Sequence, residues 1–271
     1  NTIVSVVSRV RHSLSKHGYR GLAAKALGAV TSPLVRRLGH NTLHVGLTDF
    51  YRRSHLITAS GHQFSQSLAE GSATDDTELR IEFDSLLETL GARLKTVDLS
   101  FPLDYGIEAE TARALYVVIR TVRPEVVLET GVANGHTSFF ITSALLKNGS
   151  GTLTSIDITD QVGGVLNDTE RSVWNLSVLD HYNVRSSFRD IVDSLGPIDL
   201  FIHDSDHGYE WQKFELETAV RHMAVNGIIA CDDADHSYAF LDFCENLGIR
   251  PNSLVDARKV FAAVHLTDKV R

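Results

Sequence analysis

Two clusters of acidic residues, each directly after a run of apolar residues, lie in the second half of the chain. The first contains Asp204 and Asp206, and the second contains Asp232, Asp233 and Asp235. Five carboxylates at one edge of a sheet would repel one another strongly unless a cation neutralised them. A hard divalent ion with oxygen ligands suits such a set, so we expect Mg²⁺ or another divalent cation there.

Asp204, Asp232 and Asp233 are the predicted metal ligands, because residues that end neighbouring strands about 5 Å apart can meet across a sheet. His207 follows Asp204 by three residues. An imidazole titrates near neutral pH, so His207 is the predicted general base, with Asp206 as the alternative. Together these groups suit chemistry in which a metal lowers the pKa of a bound hydroxyl and a base removes its proton.

A second candidate site lies over residues 129–138, with the sequence Glu-Thr-Gly-Val-Ala-Asn-Gly-His-Thr-Ser. Gly131 and Gly135 permit a tight turn at the start of a helix, where a ligand can approach the backbone. Their G-x-x-x-G spacing differs from the G-x-G-x-x-G of nicotinamide-binding domains, and Glu129 suits a cationic amino-acid ligand. Asp157, which ends the next predicted strand, can accept hydrogen bonds from both hydroxyls of a ribose.

The segment 129–138, followed by Ser-Ile-Asp at 155–157, resembles motif I and the acidic second-strand end of class I S-adenosylmethionine-dependent methyltransferases. The resemblance covers roughly residues 104–266. It implies that S-adenosyl-L-methionine is the cofactor, with its methionine part near Glu129 and its ribose at Asp157. The predicted cofactor contacts are Glu129, Gly131, Asn134, Gly135, Thr137, Ser138, Asp157, Asp190 and Asp204.

The acid clusters resemble those of metal-dependent O-methyltransferases, which include the catechol, caffeoyl-CoA and macrolide-sugar enzymes. In that branch the first acid and the later acid pair hold the metal. The chain has His207 where the catechol type carries lysine, and Asp232-Asp233 where that type carries Asp-Asn. Both departures favour the sugar-hydroxyl branch. The resemblance therefore implies metal-assisted O-methylation of a small molecule of sugar, polyketide or phenol type.

Strands and helices alternate after Pro102, which predicts an α/β fold with a mostly parallel sheet and helices on both faces. The predicted strands are 126–130, 152–157, 183–187, 198–203, 227–232 and 259–265. The predicted helices are 77–94, 107–122, 137–147, 168–181, 209–223 and 238–247. The resemblance makes this a Rossmann-like, doubly wound sheet of seven strands. Ligands bind at the carboxyl ends of such strands, where the candidate residues lie.

At 271 residues the chain exceeds the usual size of one domain. We expect a mainly helical or irregular N-terminal appendage over 1–100 and a methyltransferase domain over 101–271. Residues 1–48 hold seven Lys or Arg and no acidic residue. We interpret them as an arm that packs on the acidic body or on a second subunit of a homo-oligomer, with an organelle presequence or a membrane-surface helix as alternatives.

The composition excludes several classes of protein. A net charge of −8 disfavours a nucleic-acid binder, because neutralising phosphates needs a basic surface. No run of about 18 apolar residues could cross a bilayer, so we expect no integral membrane segment. Cys231 and Cys244 are the two cysteines, and they indicate neither a disulfide framework nor a thiolate metal site. A cytoplasmic location is the resulting expectation.

Two other functions fit part of the sequence. Asp204-Ser205-Asp206 after an apolar strand mimics the D-x-D of metal-dependent glycosyltransferases, which holds a nucleotide-sugar diphosphate through a metal. That interpretation leaves Glu129 and Asp157 unexplained. A non-catalytic, nucleoside-binding protein of methyltransferase fold is the third possibility, because a fold does not imply an activity. The acids and the candidate base favour an enzyme.

Overall fold

The computed structural model describes residues 46–69, 76–257 and 259–266. The seven basic residues of the predicted N-terminal arm lie outside the described residues. Within the described part of the chain, no helix is both long and apolar enough to span a bilayer.

A sheet of eight strands forms the centre of the described structure. The strands are β1 (Leu56–Thr58), β2 (Val126–Thr130), β3 (Thr152–Asp157), β4 (Trp174–Val178), β5 (Ile198–His203), β6 (Met223–Cys231), β7 (Asn252–Val255) and β8 (Val260–His265). Their order is β1-β7-β8-β6-β5-β2-β3-β4. Neighbouring strands are parallel, except that β8 runs antiparallel to both β6 and β7. The mostly parallel, Rossmann-like sheet is confirmed, with one strand more than the expected seven.

Nine helices accompany the sheet in the described residues. They are α1 (Gly46–Arg53), α2 (Gly61–Leu68), α3 (Thr77–Arg93), α4 (Ala109–Val122), α5 (His136–Asn148), α6 (Asp168–Arg171), α7 (Val184–Ser194), α8 (Tyr209–Ala219) and α9 (Ala239–Asn246). Short 3-10 turns cover Leu103–Tyr105 and Val220–His222. The predicted helices 77–94, 107–122, 137–147 and 238–247 agree with α3, α4, α5 and α9 to within two residues.

Both faces of the sheet are covered, and successive side chains of one strand enter opposite cores. Val127 belongs to the core that contains α4 and α5, while Leu128 belongs to the core under α7 and α8. Leu200 and Phe201 of β5 divide in the same way. Because side chains alternate along a strand, burial on both faces requires a continuous apolar run. This is why β2 and β5 could be recognised from sequence.

The segment 168–187 differs from its prediction. The helix expected over 168–181 ends at Arg171, and β4 occupies the centre of that range. Trp174 of β4 is buried, and its indole Nε1 donates to Ser155 Oγ on β3 at 2.8 Å. This contact with a distant strand outweighs the weak local helical pattern. The strand expected over 183–187 is instead the first turn of α7.

The described part of the predicted appendage packs into the same core as the rest of the fold. Strand β1 pairs with β7, so it extends the sheet at one edge. Phe64 of α2 is fully buried, with its ring centroid 5.8 Å from that of Phe261 on β8. Phe83 of α3 stacks on Phe140 of α5 at 4.8 Å. These contacts join residues before position 100 to the eight-stranded sheet and its helices.

Truncation of Phe64 tests whether α2 belongs to the folding unit. We expect Phe64→Ala to lower the free energy of unfolding by about 3 kcal/mol or more, because a buried aromatic ring leaves a cavity. Ile81→Ala is the control, since Ile81 is 66% exposed, and its effect should stay within about 0.5 kcal/mol. Urea unfolding followed by circular dichroism measures both. Equal effects of the two substitutions would place α2 outside the core.

Candidate active site

A cavity of about 870 Å³ opens at the carboxyl ends of the parallel strands. Its walls come from the segments that follow β2, β3, β4, β5 and β6, together with the loop that contains Phe101 and Tyr105. This edge of a parallel sheet is where α/β proteins bind ligands, because the strand ends there diverge into loops. Residues from both candidate sites of the sequence line this one cavity.

The turn after β2 requires glycine at position 131. Gly131 has a φ of +81°, and a Cβ there would lie 2.1 Å from the carbonyl oxygen of Asp204. The turn after β2 therefore packs directly against the chain that leaves β5. Any side chain at 131 would force these two segments apart. Gly131, Val132 and Ala133 line the cavity.

Four predicted cofactor contacts lie behind the cavity wall instead of lining it. Gly135 packs on another glycine, since a Cβ there would lie 2.9 Å from Gly163 Cα. The side chain of Asn134 binds both backbone groups of Phe101, accepting from its N–H at 3.1 Å and donating to its carbonyl at 2.8 Å. Thr137 and Ser138 are buried in α5. These residues hold the loops that form the wall, and they are not among the residues that line the cavity.

Glu129 is also behind the wall, where it is fully buried. Its Oε2 accepts hydrogen bonds from Ser138 Oγ at 2.7 Å and from Ser155 Oγ at 2.6 Å. Burial raises the pKa of Glu129 to about 7, against the lowering effect of the two serine hydroxyls. Its Oε1 has no partner among the described residues. The carboxyl group links α5 to β3 and is not among the groups that line the cavity.

Asp157 lines the cavity at the end of β3, as predicted for a ribose-binding acid. Its Oδ2 accepts from the N–H of Val132 at 2.9 Å, and its Oδ1 accepts from the N–H of Ile158 at 2.7 Å. These bonds orient the carboxylate across the turn after β2. Ile158, Leu179 and Val184 form an apolar wall at the same end of the cavity.

Asp190 does not lie near this wall. Its predicted role depended on a strand over 183–187, and that segment is helical, so Asp190 lies on α7 as an exposed residue. It is not among the residues that line the cavity. The strand that follows β3 in the chain is β4, and Leu179, directly after β4, lines the cavity.

The predicted acid and base residues meet at the other end of the cavity, after β5 and β6. Asp204, Asp206, His207 and Asp233 line it, while Asp232 is buried beneath. His207 Nε2 lies 3.4 Å from Asp233 Oδ2 and 4.0 Å from Asp204 Oδ1. Burial, and then the neighbouring Asp232, raise the pKa of the Asp204 carboxyl. Burial lowers the pKa of His207 to about 4, so its imidazole is neutral at neutral pH.

Lys259 lies inside this acid cluster, although nothing in the sequence pattern predicted a role for it. Its Nζ pairs with Asp232 Oδ2 and lies 3.6 Å from Asp233 Oδ2. Burial alone would lower the pKa of Lys259, but Asp232, Asp204 and Asp233 raise it. In the sequence, Lys259 stands out only as a single lysine directly before an apolar strand. The sequence does not show which acidic residues pair with it.

The predicted metal ligands do not form a metal centre in this geometry. Within residues 46–69, 76–257 and 259–266, no three or more His, Cys, Asp or Glu side chains come together so that they could hold an ion. The physical reason is that the ammonium of Lys259 occupies Oδ2 of Asp232. Asp204, Asp232 and Asp233 are close neighbours, but the cation among them is a side chain of the protein.

A buried polar network lies directly under the base candidate. His203 Nδ1 lies 2.6 Å from Glu215 Oε2, which also accepts from Thr130 Oγ1 at 2.7 Å. The other oxygen of Glu215 accepts from Trp211 Nε1 at 2.6 Å and from Ser205 Oγ at 2.9 Å. Glu215 thus ties β2, β5 and α8 together at the floor of the cavity. Glu215 and Trp211 were not predicted as site residues, because both lie inside a helix whose sequence shows an ordinary amphipathic pattern.

Comparison with known proteins agrees with this architecture. Residues 128–234 match a family model described as a methyltransferase domain. This range includes Asp204-Ser205-Asp206, so the glycosyltransferase interpretation of that motif is not supported. Comparison with curated protein sequences gives no significant match.

Solved structures share the fold at low sequence identity. An O-methyltransferase from Bacillus cereus in complex with SAH has 12% identity and a TM-score of 0.51, covering 75% of this chain and 97% of its own. TomG, an O-methyltransferase from Streptomyces achromogenes in complex with SAM, has 13% identity and a TM-score of 0.51, covering 72% and 92%. SAH-bound methyltransferase PaMTH1 from Podospora anserina has 13% identity and a TM-score of 0.50, covering 68% and 88%.

Glu129→Gln tests the buried carboxyl behind the cavity. The pKa of Glu129 is higher in the fold than the ordinary 4.5 of an unfolded chain. Its contribution to stability is therefore present below pH about 4.5 and is lost as the pH rises through about 7. The stability of the variant relative to wild type should increase by about 2 kcal/mol between pH 5 and pH 8.

Urea unfolding at the two pH values measures this difference. Glu88→Gln is the control, because Glu88 is exposed on α3 and its substitution should show no such pH dependence. If wild type and Glu129→Gln differ in stability by the same amount at both pH values, Glu129 is ionised in the fold.

Proposed function

Because the fold is Rossmann-like and residues 128–234 match a methyltransferase domain model, we propose that the protein methylates a hydroxyl group of a small molecule with S-adenosylmethionine. One continuous cavity with two chemically different ends supports this function. Asp157 and an apolar wall lie at one end, and His207 with the acid cluster lies at the other. A nucleoside end joined to an acid-base end suits transfer of a group from a nucleoside cofactor to an acceptor.

The residues at the first end fit S-adenosylmethionine. Oδ2 of Asp157 accepts the N–H of Val132, and Oδ1 accepts those of Ile158 and Thr159. A carboxylate oxygen with one such bond can accept a further hydrogen bond from a ribose hydroxyl. Ile158, Leu179 and Val184 offer apolar surface to the adenine ring. The negative charge near Asp204 suits the amino group of the methionine part. When bound, S-adenosylmethionine supplies an electrophilic methyl group on its sulfonium sulfur and leaves as SAH.

The acceptor end combines aromatic and polar groups. Phe101, Tyr105 and Trp211 line the same cavity as His207 and His236. Aromatic faces favour flat or partly apolar acceptors, while the imidazoles and acids interact with a hydroxyl. The proposed acceptor is therefore a hydroxylated small molecule of sugar, polyketide or phenol type. TomG and the Bacillus cereus protein are O-methyltransferases, which supports oxygen as the methylated atom.

His207 is the proposed general base. Its neutral imidazole accepts the hydroxyl proton while the acceptor oxygen forms its bond to the methyl carbon. A base whose pKa is about 4 cannot deprotonate a free hydroxyl in advance. Proton transfer therefore accompanies bond formation, when the oxygen becomes strongly acidic. Asp204 and Asp233 lie near the ring and stabilise the imidazolium that results.

Asp206 is less suited to act as the base. Its Oδ1 accepts the N–H of Gly208 at 2.8 Å, at the start of α8. That bond makes Asp206 a residue that shapes the turn before the helix, as carboxylates commonly do at such positions. Because the ammonium of Lys259 pairs with Asp232, one of the predicted Mg²⁺ ligands, the proposed chemistry rests on His207 and its neighbouring acids.

Substitution of Asp157 tests the cofactor end. We expect Asp157→Asn to raise the Kd for SAH by about tenfold or more, because the carboxylate loses its charge and one strong acceptor for the ribose. Isothermal titration calorimetry measures the affinity. Asp190→Asn is the matched control, since Asp190 lies on the exposed face of α7, and its Kd should equal that of wild type. Equal losses in both variants, or none in Asp157→Asn, would refute the assignment.

Substitution of His207 tests the acceptor end. His207→Ala should lower kcat by about a hundredfold or more while leaving the Kd for SAH unchanged, because a general base acts on the chemical step. Release of SAH in the presence of a panel of hydroxylated acceptors measures turnover. His222→Ala is the control, since His222 pairs with Asp193 away from the cavity. Unchanged turnover in His207→Ala would move the base to another residue.

A further inference from the structure

The position of Lys259 is determined by the backbone around it. Val255 and Val260 are the paired residues that close the β7–β8 hairpin. The N–H of Asp256 donates to the carbonyl of Lys259 at 3.1 Å. On the other side, the N–H of Ala234 donates to the carbonyl of Val260 at 2.8 Å. A backbone hydrogen bond therefore joins the hairpin to the loop that follows β6, and this loop contains Asp232 and Asp233.

This fastening places the ammonium of Lys259 within the acid cluster. The Lys259 side chain is 9% exposed and that of Asp232 is 2% exposed, so the pair is withdrawn from water. Asp233 Oδ2 lies 3.6 Å from the same ammonium. Lys259 also lines the cavity, where a bound acceptor can reach it. A buried charge pair of this kind is expensive unless both partners remain charged and in contact.

We propose that the ammonium of Lys259 takes the place of a divalent metal in this acid cluster, as a built-in cation at the acceptor end of the cavity. It neutralises one of the carboxylates that the sequence assigns to a metal. Where the proposed O-methylation holds, it also offers an N–H donor to the acceptor oxygen.

Geometry and charge both oppose a metal beside this lysine. Mg²⁺ needs oxygen ligands at about 2.0–2.1 Å in a nearly octahedral arrangement. Oδ2 of Asp232 already contacts the ammonium. A divalent ion among Asp204, Asp232 and Asp233 would lie a few ångströms from a positive charge in a poorly solvated site, where repulsion is strong. The cluster can hold the lysine or the metal, but not both.

Without Lys259, the acid cluster would have free carboxylate oxygens for a divalent cation. Asp232 Oδ1 is buried and has no hydrogen-bond partner among the described residues. Removal of the ammonium would free Oδ2 as well, and the three aspartates would then repel one another without compensation. A divalent cation would relieve that repulsion. Loss of the lysine should therefore create a metal site that the wild-type protein lacks.

The test is a titration of wild type and Lys259→Met with Mn²⁺, followed by electron paramagnetic resonance and calorimetry. Methionine keeps the length and apolar stem of lysine without its charge. We expect wild type to show no saturable site below the millimolar range, and Lys259→Met to bind Mn²⁺ at least about tenfold more tightly. Lys213→Met is the matched control, because Lys213 is a partly exposed lysine on α8 that pairs with Glu217, and it should resemble wild type.

The titration needs neither cofactor nor acceptor, so it succeeds or fails independently of the proposed function. Tight Mn²⁺ binding by wild type that is lost in Asp232→Asn would overturn the inference, as would unchanged affinity in Lys259→Met. If Lys259→Met does not fold in the presence of chelator, its thermal unfolding is measured with Mn²⁺ added. Recovery of the folded state by Mn²⁺ supports the inference, and failure to recover contradicts it.

Discussion

The structure depends on how negative charge is compensated where β5 and β6 end. Asp204, Asp232 and Asp233 converge there because parallel strands deliver their carboxyl ends to one edge of the sheet. Burial makes uncompensated carboxylates costly, so a positive charge must lie among them. In this protein the compensating charge is Lys259, brought by a hairpin from the far side of β6. The mixed part of the sheet, with β8 antiparallel between β6 and β7, thereby contributes directly to the site.

A second constraint joins the two ends of the cavity. Gly131 lets the turn after β2 contact the backbone of Asp204, and Asp157 binds the same turn through the N–H of Val132. The acid cluster and the Asp157 end of the cavity are thus held by adjacent segments of backbone. Glu129 and Glu215 lie beneath these segments and connect them to β3 and α8 through serine, histidine and tryptophan side chains. Buried polar networks of this kind limit the positions that the loops above them can adopt.

Described residues before position 100 pack against the sheet and its neighbouring helices. Strand β1 extends the sheet beside β7, and Phe64 packs on Phe261 of β8. Because β8 carries Lys259 at its start, this packing supports the hairpin that brings the ammonium to the acids. Arg93 of α3 also binds both oxygens of Glu170 next to the loop that contains Gly163. The described N-terminal helices therefore support both sides of the cavity.

The sequence by itself determined the strands whose two faces are buried and the residues that follow them. Apolar runs identified β2 and β5, and glycine spacing with strand-end acids identified Gly131, Asp157 and Asp204. These signals are local, since strand period, turn conformation and the residue after a strand lie within a few positions of one another. Tertiary structure alone decided β4, which pairs in parallel with β3 and whose Trp174 donates a hydrogen bond to Ser155. It also decided that Lys259 lies with Asp232, because a pair 27 residues apart in the chain meets only through the order of strands in the sheet.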